Sequence, residues 1–184
     1  MSLNGAAMFI AMVIIIILFE IILTITKGSA GMSFITPTNL FSILRQQAYT
    51  GIIAFGLTLV MITGNIDLSV GSMLTFLCCV CAKVMMATDN LALTLLATLG
   101  LGVLCGVFNG VLVSYVKLNS FITSLGSSSI FSALAMMVSA GTILVIPDSC
   151  SAAFRAMGKS SLGPIHILIV WFVLVAVVLG LLLS

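Results

Sequence analysis

A chain of 184 residues that is 62% hydrophobic, only 5% charged and has a mean hydropathy of +1.42 exposes too much apolar surface to fold around one core in water. Its net charge of +2 balances six bases against four acids, all scattered singly, so there is no basic stripe to follow a nucleic acid backbone and no nucleic acid partner is expected. The composition belongs in a lipid bilayer.

Six apolar runs approach or exceed the roughly 20 residues that a helix needs to cross about 30 Å of hydrocarbon. They lie near Ala6–Thr26, Leu44–Thr63, Val70–Met86, Leu91–Val113, Phe121–Ile146 and Ile165–Leu183. Backbone groups in lipid must be satisfied within their own segment, and these runs lack the dyad alternation of a barrel strand. The reading is an all-α, polytopic transmembrane helix bundle of about six spans, forming one domain over residues 1–184.

The first run has no basic residues before it and exceeds the 7 to 15 apolar residues of a secretory signal, so it reads as a retained anchor. Glu20 sits six residues from the end of that run, about 9 Å inside it. It is read as a protonated or snorkelling side chain packed on a neighbouring helix, ahead of a polar group turned to the bundle interior. Lys27 reaches it only by bending toward the interface. The Thr36-Pro37-Thr38-Asn39 cluster marks a turn with a helix start near Asn39. The following span ends at the Gly64-Asn65 pair.

Cys78, Cys79 and Cys81 formally contain a CxxC, but neither further metal ligands nor a thioredoxin-like context accompany it. The five cysteines read as small, polarizable core residues. In the fourth run Gly102, Gly106 and Gly110 place two overlapping GxxxG spacings on one face, a helix-packing signal, with Asn109 beside it able to bond across the interface. The fifth run carries Ser124, Ser128 and Ser132 at four-residue steps with Thr123, Gly126, Ser127 and Ser129 close by. That stripe is either a packing face or the lining of a polar path, and periodicity does not separate the two. The connection from Pro147 to Pro164, with Asp148, Arg155 and Lys159, reads as the largest solvent-facing loop. Lys83 and Lys117 read as solvated residues near helix ends. The last run stops at Ser184 with no soluble tail, so the chain reads as a fragment truncated after its sixth helix.

The sequence contains no GxxxxGK[ST] loop, no HExxH, no GxSxG and no paired carboxylates, so neither nucleotide binding by a P-loop nor catalysis is expected. No metal and no cofactor are expected on this chain. The stretch Thr63–Gly71, TGNIDLSVG, is the one place where glycine, asparagine, an acid and serine crowd together between two apolar runs. Gly64, Asn65, Asp67, Ser69 and Gly71 are its candidate functional residues. Asp67 is read as a cap of the third helix, with Ser69 a rival for that position, or as a charged gate.

This stretch, together with the preceding GIIAFGLTLVMIT and the following SMLTF, closely resembles the permease subunits of bacterial ABC importers for ribose and related monosaccharides. Phe41–Gln47, FSILRQQ, resembles that family's entry to its second helix, and Asn109–Gly126, NGVLVSYVKLNSFITSLG, its junction between fourth and fifth helices. The likeness covers about Pro37–Gly141. It implies a multi-pass subunit of the bacterial inner membrane, usually of about ten helices, that pairs with a second permease subunit. It also implies cytoplasmic ATPase subunits that consume the ATP, and a periplasmic or lipid-anchored sugar-binding protein. Such permeases engage their ATPase through a cytoplasmic Gly-Asn-rich segment, and this chain ends before one. The implied mechanism is alternating access for a neutral sugar, with Asn109, Thr123, Ser124, Ser128 and Ser132 as the candidate polar path. The alternatives are an ion-coupled secondary transporter resting on Glu20 and Asp67, or a non-transporting membrane scaffold. The count of basic residues places the N-terminus outside, whereas the family resemblance places it in the cytoplasm, and the latter is preferred.

Overall fold

The computed structural model describes residues 3–27, 35–150, 152–162 and 165–183. It is helical apart from one minimal hairpin. In chain order the elements are α1 (Leu3–Lys27), α2 (Pro37–Ile62), α3 (Val70–Thr88), α4 (Leu91–Ser114), α5 (Ser120–Ser139), α6 (Ala152–Lys159), β1 (Ser161–Leu162), β2 (Ile165–His166) and α7 (Ile167–Leu183). They fall into two compact units, residues 53–160 and residues 1–52 with 161–184.

The unit that carries the TGNIDLSVG stretch is built on α3, which packs against both α5 and α4. Its core is Phe76 of α3, Cys105 of α4, and Phe131 and Ala135 of α5, flanked by Met73, Cys79, Leu101 and Leu134. The Phe76 and Phe131 rings stack with centroids 6.4 Å apart and planes inclined by 4°, a geometry that adds to their area burial. The α3–α4 turn is tied by a left-handed Asp89 (φ 44°) and by Asn90, whose side chain accepts from the Leu93 amide at 3.1 Å. That turn closes over Met85 and Thr94, both fully buried. Asn119 caps α5 in the same way, accepting from the Phe121 amide at 2.9 Å.

In the other unit α1 is apolar around its whole circumference, and its described side chains are mostly exposed, as expected of a helix solvated by lipid. Glu20 is half-buried, and one carboxylate oxygen accepts from the Ile35 amide at 3.3 Å. A backbone amide is thus one partner of Glu20. The Lys27 side chain lies outside the described residues. Helix α7 follows β2, and the single histidine serves its start: His166 Nδ1 accepts from the Leu168 amide at 3.3 Å. Gly51 of α2 lies against the Phe172 ring, so close that an added Cβ would fall 2.8 Å from Cδ2 and nearer still to Cε2.

Three expectations change. Among the described residues four helices are long and apolar enough to cross a membrane, residues 7–26 of α1, then α3, α4 and α5, so the count of six spans is not borne out. Helix α2 is long enough, but Arg45-Gln46-Gln47 lies inside it and dilutes its apolar stretch, and α7 has only 17 residues. The fifth helix ends at Ser139 rather than near Ile146, because Ala140 (φ 53°) and Gly141 (φ 67°) turn left-handed and return their amides to the Met136 and Met137 carbonyls. The connection after Pro147 contains regular structure. It holds α6 and the β1–β2 pair, with Arg155 reaching Asp148 at 3.7 Å and Cys150 buried.

Candidate functional site

The end of α2 shapes the loop that precedes α3. Gly64 adopts φ 77°, which its missing Cβ permits, and its amide bonds the Met61 carbonyl at 2.9 Å, stopping the helix. The Asn65 amide nitrogen donates to Thr63 Oγ1 at 3.0 Å, and the Ile66 backbone amide reaches Ser120 Oγ at 3.4 Å. Asp67 Oδ1 then accepts two bonds from Ser69, from its amide at 2.8 Å and from its hydroxyl at 2.6 Å. Backbone geometry makes Ser69 the first flanking residue of α3, yet its side chain makes no bond to the helix it precedes. The hydroxyl is turned across the bundle instead.

There Ser69 Oγ accepts from Asn109 Nδ2 at 2.8 Å, and Asn109 Oδ1 accepts from the Ser127 hydroxyl at 2.6 Å. Ser69 is 0% and Ser127 2% exposed, so these bonds are made out of reach of solvent. A second link runs beside them. Ser72 Oγ donates to the Ser69 carbonyl at 2.8 Å and lies 3.1 Å from Ser128 Oγ. Four elements of sequence, the loop before α3, α3 itself, α4 and α5, thus meet through hydroxyl, amide and carboxylate groups. Buried polar groups in an apolar bundle must find such partners, because lipid and core offer none.

The remaining candidates separate. Thr123 and Ser124 are buried, but their hydroxyls turn back on the Asn119 and Phe121 carbonyls of their own helix, at 3.0 and 3.1 Å. Ser132 is exposed and rims an open groove of about 600 Å³ with Thr75 and Ser139. Gly71 has open space where a Cβ would stand. Of the glycine row on α4, a Cβ added at Gly102 would lie 3.4 Å from Leu77 Cδ1, whereas one at Gly106 or Gly110 would meet nothing within 4 Å. Among the described residues no three His, Cys, Asp or Glu side chains gather as metal ligands. Ser127 and Ser72 were not singled out from sequence. A signal for Ser127 existed: Thr123, Ser127, Phe131 and Ala135 share four-residue spacing, and an aromatic ring in that row marks it as the buried one.

Residues 39–184 match the family described as branched-chain amino acid transport system / permease component. The chain belongs to this permease family. The match runs past Gly141, where the resemblance read from motifs stopped. Among similar proteins, the xylose transport system permease protein XylH of Escherichia coli (strain K12) is 38% identical over 152 residues, which is 82% of this permease chain and 37% of that protein. The galactofuranose transporter permease protein YtfT of the same strain is 36% identical over 108 residues, 58% of the chain and 32% of that protein. The ribose import permease protein RbsC of Bacillus subtilis (strain 168) is 32% identical over 120 residues, 65% of the chain and 37% of that protein. The permease chain spans about a third of the length of these relatives. No solved structure matches it. With four helices able to cross a bilayer, it is a multi-pass membrane protein.

Proposed function

We propose that this chain is part of a permease subunit that carries a monosaccharide across the bacterial inner membrane in an ATP-driven importer. The family description names branched-chain amino acids, so the solute class has to be argued. A zwitterion needs countercharges along its route. The helices α3, α4 and α5 contain one charged residue, Lys83, against a wealth of Ser, Thr and Asn. Hydroxyl and amide groups suit a neutral polyol, and the relatives named above carry xylose, galactofuranose or ribose in their names. The near absence of charge on these three helices carries the reading.

The subunit works with a second permease subunit, cytoplasmic ATPase subunits and a periplasmic or lipid-anchored sugar-binding protein. ATP is consumed by those partners, and this chain binds no cofactor of its own. Asn109, Thr123, Ser124, Ser128 and Ser132 belong to or support the polar path. The Gly64–Gly71 stretch with Asp67 is its candidate gate, and the open face at Gly106 and Gly110 is available for helix packing. The test is reconstitution of the full-length protein with its ATPase and binding protein in proteoliposomes. Uptake of D-xylose or D-ribose that requires ATP is expected. Leucine uptake without sugar uptake, or sugar uptake that survives ATP depletion and collapses with an ion gradient, refutes the proposal.

A further inference from the structure

A serine hydroxyl has one proton to give, and Ser69 gives it to Asp67 Oδ1 at 2.6 Å. With that proton spent on Asp67, Ser69 Oγ meets Asn109 as an acceptor. The 2.8 Å contact to Asn109 Nδ2 follows. Having turned its nitrogen to Ser69, Asn109 presents its carbonyl to Ser127, which donates at 2.6 Å. Every donor in the row points toward the carboxylate, and each bond polarises the next. By accepting the Ser69 hydroxyl, Asp67 Oδ1 sets the orientation of an amide on α4, and that amide selects the rotor of a hydroxyl on α5.

We propose that Asn109 and Ser127 are positioning residues for Asp67. Through them the placement of α5 is transmitted to the first turn of α3 and to the loop that Asp67 organises. The proposal deepens the reading of Asp67 as a gate, and it rests on the sugar-permease function only for its consequence in transport. The row is also invertible. With Asn at 67 and Asp at 109, both Ser69 and Ser127 donate to the new carboxylate, while the new amide, rotated from the position in which one Asp67 oxygen holds both contacts, keeps the Ser69 N–H on its oxygen and donates from its nitrogen to Ser69 Oγ. With Asp at both positions, two carboxylates compete for the one Ser69 proton.

The experiment is hydrogen exchange on the full-length protein in lipid nanodiscs, read at the amides of residues 66–73, with sugar uptake measured alongside. Ser127→Ala is expected to raise exchange there roughly tenfold, the equivalent of one lost hydrogen bond. A serine that serves only its own helix changes exchange within α5 alone, and that result overturns the proposal. Asn109→Asp is expected to accelerate exchange over 66–73 and to lower the melting temperature by several degrees. The Asp67→Asn/Asn109→Asp pair restores both toward the parent, and if the single variant does not insert, insertion of the pair is the rescue. A pair no better than Asn109→Asp refutes the relay. If exchange follows this pattern while the parent takes up no D-xylose or D-ribose, positioning stands and the sugar reading falls.

Discussion

The side-chain amide of Asn109, near the end of α4, donates to the hydroxyl of Ser69 at 2.8 Å and so joins two segments 40 residues apart. Ser69 is fully buried and already holds Asp67, so the otherwise largely exposed TGNIDLSVG stretch is tied to α4 through this side chain. The half-buried acid is held by two bonds from Ser69.

Asp67 accepts the Ser69 amide, and that task needs an acceptor oxygen rather than a charge. Asp67→Ala is expected to lower stability by about 1 kcal/mol, and Asp67→Asn by a few tenths, since Asn and Asp are comparable at helix starts. Thermal melting of the solubilised protein measures the difference. Equal losses in the two variants would show that the charge itself holds the turn. Unchanged uptake by Asp67→Asn would remove the charge from gating.

Phe131 is buried in the α3–α5 interface and stacked on Phe76. Phe131→Ala is expected to cost about 3–5 kcal/mol. Combined with Phe76→Ala, the loss should fall short of additivity by about 0.5–1.5 kcal/mol, because both variants delete the same ring contact. Strict additivity in melting experiments would contradict the stack.

Glycines with similar sequence surroundings should behave oppositely. Gly51→Ala drives a methyl into the Phe172 ring, and overpacking of this kind costs about 1–3 kcal/mol. Gly106→Ala meets open space, and the gain in helix propensity makes it neutral or stabilising by up to about 1 kcal/mol. A melting comparison in which Gly106→Ala is the costlier variant would be contrary to this placement.

The serines of the bundle divide between packing and path. Ser72→Ala loses its bond to the Ser69 carbonyl and its contact with Ser128, and is expected to cost about 0.5–1.5 kcal/mol. Ser132→Ala, on the exposed rim of the groove, should leave stability within about 0.5 kcal/mol. On the proposed function it raises the apparent KM for sugar in reconstituted uptake. A stability loss at Ser132 equal to that at Ser72 would make both serines packing residues.

Much of the local structure was legible. Asn39, Gly64 and the long apolar runs placed the helices to within a turn at several of their ends, because caps and breakers act on the residues beside them. The fifth apolar run reaches Ile146, seven residues past the helix end at Ser139, because the apolar residues after Gly141 continue the hydrophobic pattern although glycine is a standard stop signal. The serine stripe at 124, 128 and 132 runs from buried Ser124 to exposed Ser132, whereas the row 123, 127, 131 and 135 is buried throughout. At 3.6 residues per turn the two rows lie only about 100° apart on the helix. The spacing describes both equally well, and only Phe131 in the second row sets it apart.

By itself the sequence determined that the protein lives in a bilayer, that it is helical and which family it belongs to. Those properties follow from composition, from short-range backbone preferences and from motifs that are contiguous in the chain. Only the tertiary structure decided that Asp67, Ser69, Asn109 and Ser127 form one row of hydrogen bonds, and that Gly102 meets a neighbour while Gly106 does not. The reason is geometric. A hydrogen bond requires its partners within about 3 Å, and which residues approach that closely depends on how each helix is rotated against its neighbours.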